Sequence, residues 1–306
     1  MLVTLAIFVI SMAVLIKSAD IFTNNVEILG RKFNVSPFIL GVTVVALGTS
    51  LPELASALMA AGYASEIVLG NVMGSNITNI LLVLGFSTLF LKKETIISWN
   101  PFHGDLTFII ASTIMLGIVL IDGIITLPEA GLLVLGYILY MLYTLEINKN
   151  TGHKEKNENI NFNWMHVGLI VGSIILIAVS AHFLINSAVE IAQQLNVGSE
   201  IVALTLIALG TSLPELAVSL MAVKKGNIET AIGNITGSNI FNTFIVVGIP
   251  RFIGDLTVTT KLFPETYIYL LIAIVLFVSV ILDKKIHRFE GAILFLFYIF
   301  FLLALL

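Results

Sequence analysis

The sequence predicts an all-α polytopic membrane protein with ten transmembrane helices, arranged as two inverted repeats of five helices. Three observations lead to this fold class: an apolar composition, ten apolar segments of membrane-spanning length, and a duplicated sequence unit. Of the 306 residues, 58% are hydrophobic and 11% are charged, whereas a soluble domain carries about 25% charged residues. Lipid is therefore expected to surround most of the chain.

The charge and cysteine content exclude several classes of protein. The net charge of −4 is small and dispersed, which argues against a nucleic-acid partner. The chain has no cysteine, so disulfides and thiolate metal sites are excluded. The apolar N-terminus lacks the basic start of a signal peptide and is predicted to be a retained first span.

Ten apolar segments are long enough to cross about 30 Å of hydrocarbon. Residues 147–163, between the fifth and sixth segments, are polar and are predicted to form a solvated cytoplasmic linker. Residues 1–146 and 164–306 are then the first and second five-helix repeats. The segments lie near 2–26, 37–61, 67–90, 105–121, 127–146, 165–193, 199–223, 228–250, 265–282 and 288–305.

The loop charges predict the orientation of the chain. With the N-terminus outside, twelve of the fifteen Lys and Arg residues lie in cytoplasmic loops and two in outside loops. By the positive-inside rule, both termini are expected to face outside. Lys17, the remaining basic residue, lies in the first span and is expected to pair with Asp20, three residues later.

The two halves of the chain share a duplicated unit. Residues 39–60 match 201–222 at 15 of 22 positions, and residues 70–85 match 233–248 at 9 of 16. The matched residues are largely Gly, Thr, Ser, Pro, Glu and Asn, which shared hydrophobicity does not supply. Because each half has an odd number of spans, equivalent helices cross in opposite directions, and a site is expected between the repeats near the midplane.

Two glutamates lie near the middle of the second and seventh spans. Glu53 and Glu215 end identical hexapeptides, Gly-Thr-Ser-Leu-Pro-Glu. A charged carboxylate at the bilayer centre costs at least about 2.5–3.5 kcal/mol, so an intramembrane acid indicates a functional site. The alternatives are a permanently protonated acid or a helix-packing hydrogen bond, and the symmetric copy argues against both.

Hydroxyl and amide side chains accompany both acids. In each hexapeptide, Thr and Ser precede Glu by four and three residues, so a helix projects all three from one face. In the third and eighth spans, a Ser and an Asn four residues apart also project from one helix face. The alternative is that these residues and the neighbouring glycines serve only helix packing. These side chains are Thr49, Ser50, Thr211, Ser212, Ser75, Asn79, Ser238 and Asn242.

The prolines before the two glutamates are predicted to break their helices. Pro52 and Pro214 lack an N–H for the carbonyls of Gly48 and Gly210, and a freed carbonyl in a membrane needs another partner or an ion. All donors in these segments are oxygens, with no His or Cys. The pattern therefore indicates hard cations such as Na⁺ and Ca²⁺, not Zn²⁺ or Cu⁺.

At these residues the sequence resembles the calcium/cation antiporter superfamily, specifically prokaryotic members of its sodium/calcium exchanger branch. The resemblance rests on the hexapeptides at 48–53 and 210–215, and on Gly-Asn-x-x-Gly-Ser-Asn-Ile at 70–77 and 233–240. It implies a secondary active antiporter, not an enzyme, that exchanges Na⁺ for Ca²⁺ by alternating access. A monomer in the plasma membrane is expected, with no cofactor besides the transported ions.

The resemblance also implies how the ions are bound. Four sub-sites would be formed by the two glutamates and the eight Ser, Thr and Asn side chains, with the backbone carbonyls of Ala46 and Ala208. The first and sixth spans would slide across the core. One departure is Asn242, where the branch often has Asp. The two carboxylates would neutralise one bound Ca²⁺, whereas three bound Na⁺ would give the site a net charge of +1. We therefore hypothesise that the exchange of Na⁺ for Ca²⁺ is electroneutral or only weakly voltage-sensitive.

Several alternatives use the same residues. A proton/calcium antiporter could employ both glutamates, and a potassium-dependent sodium/calcium exchanger is a close relative. A cation channel could use the same oxygens without a counter-ion. An enzyme is the weakest alternative, because the paired acids have no neighbouring His, Lys or Arg in sequence to polarise a substrate.

Overall fold

The computed structural model describes residues 2–62, 65–98, 105–151, 162–194, 208–257 and 262–305. Within these ranges, seven helical segments are long and apolar enough to cross a membrane, and a shorter apolar helix covers Asp105–Val119. The protein is therefore a helical, multi-pass membrane protein, as its composition predicts.

The first half of the chain begins with a long helix and continues through four more. Ser36 caps the second helix by accepting a hydrogen bond from the Ile39 amide at 3.3 Å, and Pro37 occupies its first turn, where no N–H is required. The fifth helix continues into residues 147–151 of the predicted linker, whose residues 152–161 lie outside the described residues. The helices are α1 (Leu2–Phe33), α2 (Pro37–Ala60), α3 (Ser65–Thr78, continued by Asn79–Leu84 and Gly85–Thr88), α4 (Asp105–Val119) and α5 (Leu127–Thr151).

The second half repeats this order. Residues 199–207, the first part of the predicted seventh span, lie outside the described residues. The helices are α6 (Trp164–Gln194), α7 (Ala208–Thr211), α8 (Leu213–Lys224), α9 (Ile228–Phe241, continued by Asn242–Val246), α10 (Leu262–Leu282) and α11 (Arg288–Leu305).

The predicted proline breaks occur in one half only. In the second half, Ser212 has φ −91° and ψ 5° and separates α7 from α8, which starts afresh with Pro214 in its first turn. In the first half the prediction of a break at Gly48 is wrong, because Pro52 lies inside a continuous helix. There the irregularity comes earlier, as a π-helical segment at Gly41–Val45. A wider turn of this kind is a common device near functional sites.

Helices α2 and α9 cross with their backbones in close contact. A Cβ added at Gly41 would stand 2.4 Å from the Thr230 carbonyl oxygen, and one at Gly237 would stand 2.5 Å from that of Val42. Only glycine fits at such a crossing. For Gly70 and Gly74, the equivalent glycines of α3, no described heavy atom lies within 4 Å of that position.

Two short strand pairs join loops of the two halves. Strand β1 (Thr95–Ile96) pairs antiparallel with β4 (Lys285–Ile286), and β2 (Ile124–Ile125) pairs antiparallel with β3 (Leu256–Thr257). Since β1 and β2 lie at the two ends of α4, these pairs connect the halves at both ends of the helix bundle.

Helices α1 and α6 pack against each other and flank the other helices. Their buried residues, such as Phe22 and Ile177, form a second hydrophobic cluster, which also includes residues of α2 and α8. A larger cluster lies among the central helices. The predicted pair of Lys17 and Asp20 is confirmed at 3.3 Å. Asp20 also forms a closer ion pair with Lys225, at 2.8 Å, which attaches α1 to the end of α8.

Candidate functional site

The fold brings the two repeat glutamates together in its interior. Glu53 lies on α2 and Glu215 on the first turn of α8, with side chains 1% and 0% exposed. The Ser50 hydroxyl donates to Oε1 of Glu215 at 3.2 Å, which links the two hexapeptides directly. The two carboxyl groups are close enough to repel each other electrostatically.

Among the described residues, several buried oxygens of the predicted site have no hydrogen-bond partner. Both carboxylate oxygens of Glu53 and Oε2 of Glu215 are in this state. Among the described residues, no Lys, Arg or His forms an ion pair with either acid. Leaving such groups buried without compensation costs several kcal/mol per charge, by order of magnitude. The other unpartnered oxygens of predicted site residues are Ser212 Oγ, Ser238 Oγ, Asn79 Oδ1 and Asn242 Oδ1.

A ladder of asparagines holds α3 against α9. Asn76 and Asn239 each donate an amide hydrogen to the other's backbone carbonyl, at 3.4 and 3.2 Å. Asn79 Nδ2 donates to Asn239 Oδ1 at 3.1 Å, and Asn242 Nδ2 donates to Asn76 Oδ1 at 3.2 Å. The ladder uses the N–H groups of Asn79 and Asn242 and leaves their oxygens as free acceptors.

The two threonines also bond across the halves of the chain. Thr49 donates to Asn234 Oδ1, and Thr211 donates to Asn71 Oδ1, each at 3.2 Å. Asn71 and Asn234 occupy the same position in the repeated Gly-Asn motif.

The structure buries most of the predicted site residues and joins some of them across the two halves, as Ser50 with Glu215 and Ser75 with Asn242. Ser75 donates to the Val72 carbonyl at 3.3 Å and accepts from Asn242 at 3.3 Å. The Ala46 carbonyl lies 3.4 Å from the Thr49 hydroxyl. Ala208 is the first described residue of its helix, so the approach of its carbonyl to the site stays a prediction.

The sequence reasoning missed the residues that hold this site together. These are Asn71, Asn76, Asn234 and Asn239 of the Gly-Asn motifs, with Thr243, which accepts from Asn76 at 3.0 Å, and Ser219. The presence of the four asparagines in both copies of the motif was the available signal, because asparagine is an expensive residue inside a membrane.

The donor chemistry of this centre suits hard cations. Its accessible donors are carboxylate, hydroxyl, amide and carbonyl oxygens, which Na⁺ and Ca²⁺ prefer. Within the described ranges, no group of three or more His, Cys, Asp or Glu side chains is placed to hold a metal ion. The candidate site thus combines the carboxylate oxygens of two acids with neutral hydroxyl, amide and carbonyl oxygens.

Comparison with known proteins places the chain in a family. The family model described as sodium/calcium exchanger protein matches residues 3–146 and 165–306. The chain belongs to this family. Members of the sodium/calcium exchanger family are membrane transporters, not enzymes, and the chain is accordingly a cation antiporter of the type that handles Ca²⁺.

Individual relatives match over nearly the whole chain. A putative antiporter CaxA of Alkalimonas amylolytica is 33% identical over 307 residues, covering 96% of each chain. The sodium/calcium exchanger MaX1 of Methanosarcina acetivorans is 30% identical over 346 residues, covering 99% of this chain and 98% of its own. The solved structure of the sodium-calcium exchanger NCX_Mj, soaked with zero Na⁺ and Ca²⁺, superposes with a TM-score of 0.83 at 29% identity, covering 100% and 99% of the two chains.

Proposed function

We propose that this exchanger is a secondary active antiporter that moves Ca²⁺ across the membrane in exchange for Na⁺, by alternating access. The observation that carries the proposal is the group of seven unpartnered buried oxygens, contributed by both halves and including two carboxylates. A bound cation would supply the partner that these oxygens lack. The names of the relatives MaX1 and NCX_Mj support Na⁺ as the coupling ion.

The transported ions are bound at the centre of the molecule. Glu53 and Glu215 provide the negative charge, and neutral oxygens complete the coordination. The proposed ligands are Glu53, Glu215, Thr49, Ser50, Thr211, Ser212, Ser75, Ser238, Asn79 and Asn242, with the backbone carbonyls of Ala46 and Ala208.

The proposed architecture is ten transmembrane helices in two inverted five-helix repeats, residues 1–146 and 164–306, joined by the linker 147–163. The strand pairs support inversion. By the sequence repeat, β3 is the counterpart of β1, and β4 is the counterpart of β2. Repeats of the same orientation would put β1 and β4 on opposite sides of the membrane, where they could not pair. Pairing of β1 with β4 and of β2 with β3 is the arrangement expected of halves of opposite orientation.

Alternating access is assigned to helices α1 and α6. They contact the core through a second hydrophobic cluster, which includes a few residues of α2 and α8 and is distinct from the large cluster of the central helices, so they can move as a pair across a fixed core. The proposal includes a monomer in the plasma membrane, and the positive-inside bias supports an orientation with both termini outside and the linker in the cytoplasm.

Uptake of radioactive Ca²⁺ into proteoliposomes tests the proposal. The vesicles are loaded with Na⁺, K⁺ or choline, with and without a pH gradient. Uptake driven by internal Na⁺ alone is expected. Uptake driven by the pH gradient would make the protein a proton/calcium antiporter, and a joint requirement for K⁺ would make it a potassium-dependent exchanger. Equal flux with and without a counter-ion on the opposite side would indicate a channel.

A further inference from the structure

A chain of three buried side chains runs from α8 through α9 to the proposed cation site. Asn234 on α9 donates from Nδ2 to the Ser219 hydroxyl at 3.0 Å and accepts on Oδ1 from the Thr49 hydroxyl at 3.2 Å. Ser219 and Asn234 are fully buried. Ser219 follows Glu215 by one helical turn, so the chain begins on the face of α8 that carries the acid.

The Thr49 hydroxyl has one proton and several acceptors around it. The carbonyl oxygens of Val45 and Ala46 lie 3.2 and 3.4 Å away, and a helical threonine ordinarily donates to one of these. The Glu215 carboxylate is also close to this hydroxyl. When Asn234 takes the single proton, the carbonyl of Ala46 and the carboxylate keep their lone pairs for a cation.

This arrangement depends on which way the Asn234 amide faces. Turned by half a rotation, the amide would present N–H groups to Thr49, and the hydroxyl proton would return to the carbonyls. A serine hydroxyl can accept or donate, and Ser219 accepts from Nδ2 in the orientation that leaves Oδ1 facing Thr49. Without Ser219, that N–H would be buried without its partner, whereas the turned amide would leave only an oxygen unpaired, so the turned orientation would be favoured.

The other half of the chain lacks the last member of the series. Thr211 donates to Asn71 in the same way, but Asn71 is half-buried, and Ala57 occupies the position equivalent to Ser219. Alanine has no oxygen with which to hold an amide. Within the described residues, the Thr49 side of the site thus has a hydrogen bond, from Asn234 to Ser219, that has no equivalent on the Thr211 side.

We propose that Asn234 is a positioning residue of the cation site, which directs the Thr49 proton away from the ion ligands, and that Ser219 fixes the orientation of its amide. The inference rests on the proposed function, because it assigns these residues to the cation site named there. It predicts that Ser219 influences cation affinity without touching an ion.

Equilibrium binding of radioactive Ca²⁺ to the purified, full-length protein tests the inference. The variants are Ser219→Ala, Asn234→Ala and their double mutant, with Ala57→Ser as the matched control in the other repeat. Ser219→Ala and Asn234→Ala are each expected to raise the Kd for Ca²⁺ about three- to tenfold, which corresponds to one lost hydrogen bond. In the Asn234→Ala background, Ser219→Ala should add nothing, because it acts through that residue. Ala57→Ser should leave the Kd unchanged or lower it.

The outcomes separate this inference from the proposed function. Wild-type protein that binds no Ca²⁺ would overturn both. Wild-type binding with an unchanged Kd in Ser219→Ala overturns the inference and leaves the proposed function standing. Additive effects in the double mutant, or a lower unfolding temperature of Ser219→Ala at constant Kd, would show a structural role only. Because Ser219→Ala removes a single oxygen atom, this variant decides the question even if Asn234→Ala does not fold.

Discussion

At the scale of residues, Glu53 and Glu215 are maintained at a cost to the fold. Within the described residues, both carboxylate oxygens of Glu53 and Oε2 of Glu215 lack hydrogen bonds, and the two acids would repel each other when both are ionised. A buried carboxylate that served only helix packing would be expected to have a hydrogen-bond donor or a basic side chain as its partner. In the proposed function these acids serve cation binding, and their removal is expected to affect function and stability in opposite directions.

Glu53→Gln and Glu215→Gln are each expected to reduce Na⁺-driven Ca²⁺ uptake by about tenfold or more, because a charge-assisted contact contributes about 1.5–3 kcal/mol. The unfolding temperature in the absence of ions should stay equal or rise, since an unpaired charge is removed. Uptake into proteoliposomes and thermal unfolding in detergent measure the two effects.

The control for these variants is Glu94→Gln, which alters an exposed acid paired with Lys285 and His287 away from the site. It should retain uptake. Near-normal uptake by Glu53→Gln or Glu215→Gln would remove that residue from the site.

At the scale of elements, the attachment of α1 to the core is concentrated at one lysine. Lys225 forms an ion pair with the Asp20 carboxylate and donates to the Asp20 carbonyl, each at 2.8 Å, and it also donates to the Thr23 hydroxyl. Asn227 adds a hydrogen bond to Glu27 at 3.1 Å. A helix proposed to slide is thus attached by a few polar contacts, which can exchange partners, together with an apolar face.

Lys225→Met is expected to loosen the C-terminal half of α1. Amide hydrogen exchange over residues 20–31 should become about two- to fivefold faster, in line with the loss of a partly exposed ion pair. Lys224→Met is the matched control, because Lys224 is the adjacent residue and its ammonium lies over the Phe90 ring, 4.9 Å from the ring centroid, instead of on α1. Equal exchange rates in the two variants would contradict this view of the attachment.

Much of this architecture follows from the sequence, and the exceptions have physical reasons. Hydropathy predicts the spans because each transmembrane helix satisfies its own backbone hydrogen bonds and must be apolar enough to lie in lipid. The repeated hexapeptides predict the two acids because chance does not duplicate an intramembrane Glu. The continuous helix at Pro52 is not predictable, since a wider turn at Gly41–Val45 can take up the irregularity elsewhere. The Asn76–Asn239 bonds depend on contacts 163 residues apart, which local pattern does not specify.

At the scale of the whole molecule, the charge of the site limits the charge that one transport cycle can move. The two carboxylates balance one Ca²⁺ or two Na⁺, and Asn242 adds an amide oxygen without charge. Three Na⁺ would leave an excess positive charge in a fully buried site, where the local dielectric constant is low.

Wild-type Ca²⁺ uptake is therefore expected to change less than about twofold when the membrane potential is set by K⁺ and valinomycin, since one unit charge over 100 mV is worth about 2.3 kcal/mol and would give a far larger effect. Asn242→Asp adds a third negative charge and should make uptake voltage-dependent. A large wild-type current proportional to flux would exclude electroneutral exchange.

The reciprocal bonds between Asn76 and Asn239 also have a consequence for biosynthesis. The two residues are separated by 163 positions, which a ribosome takes roughly 10–30 s to translate at about 5–20 residues per second. During that interval the amides of the first half have been inserted without the partners they will have in the finished protein. These bonds can therefore form only after the helix that carries Asn239 has entered the membrane, and a nascent chain that stops earlier leaves the Asn76 amide without its Asn239 partner.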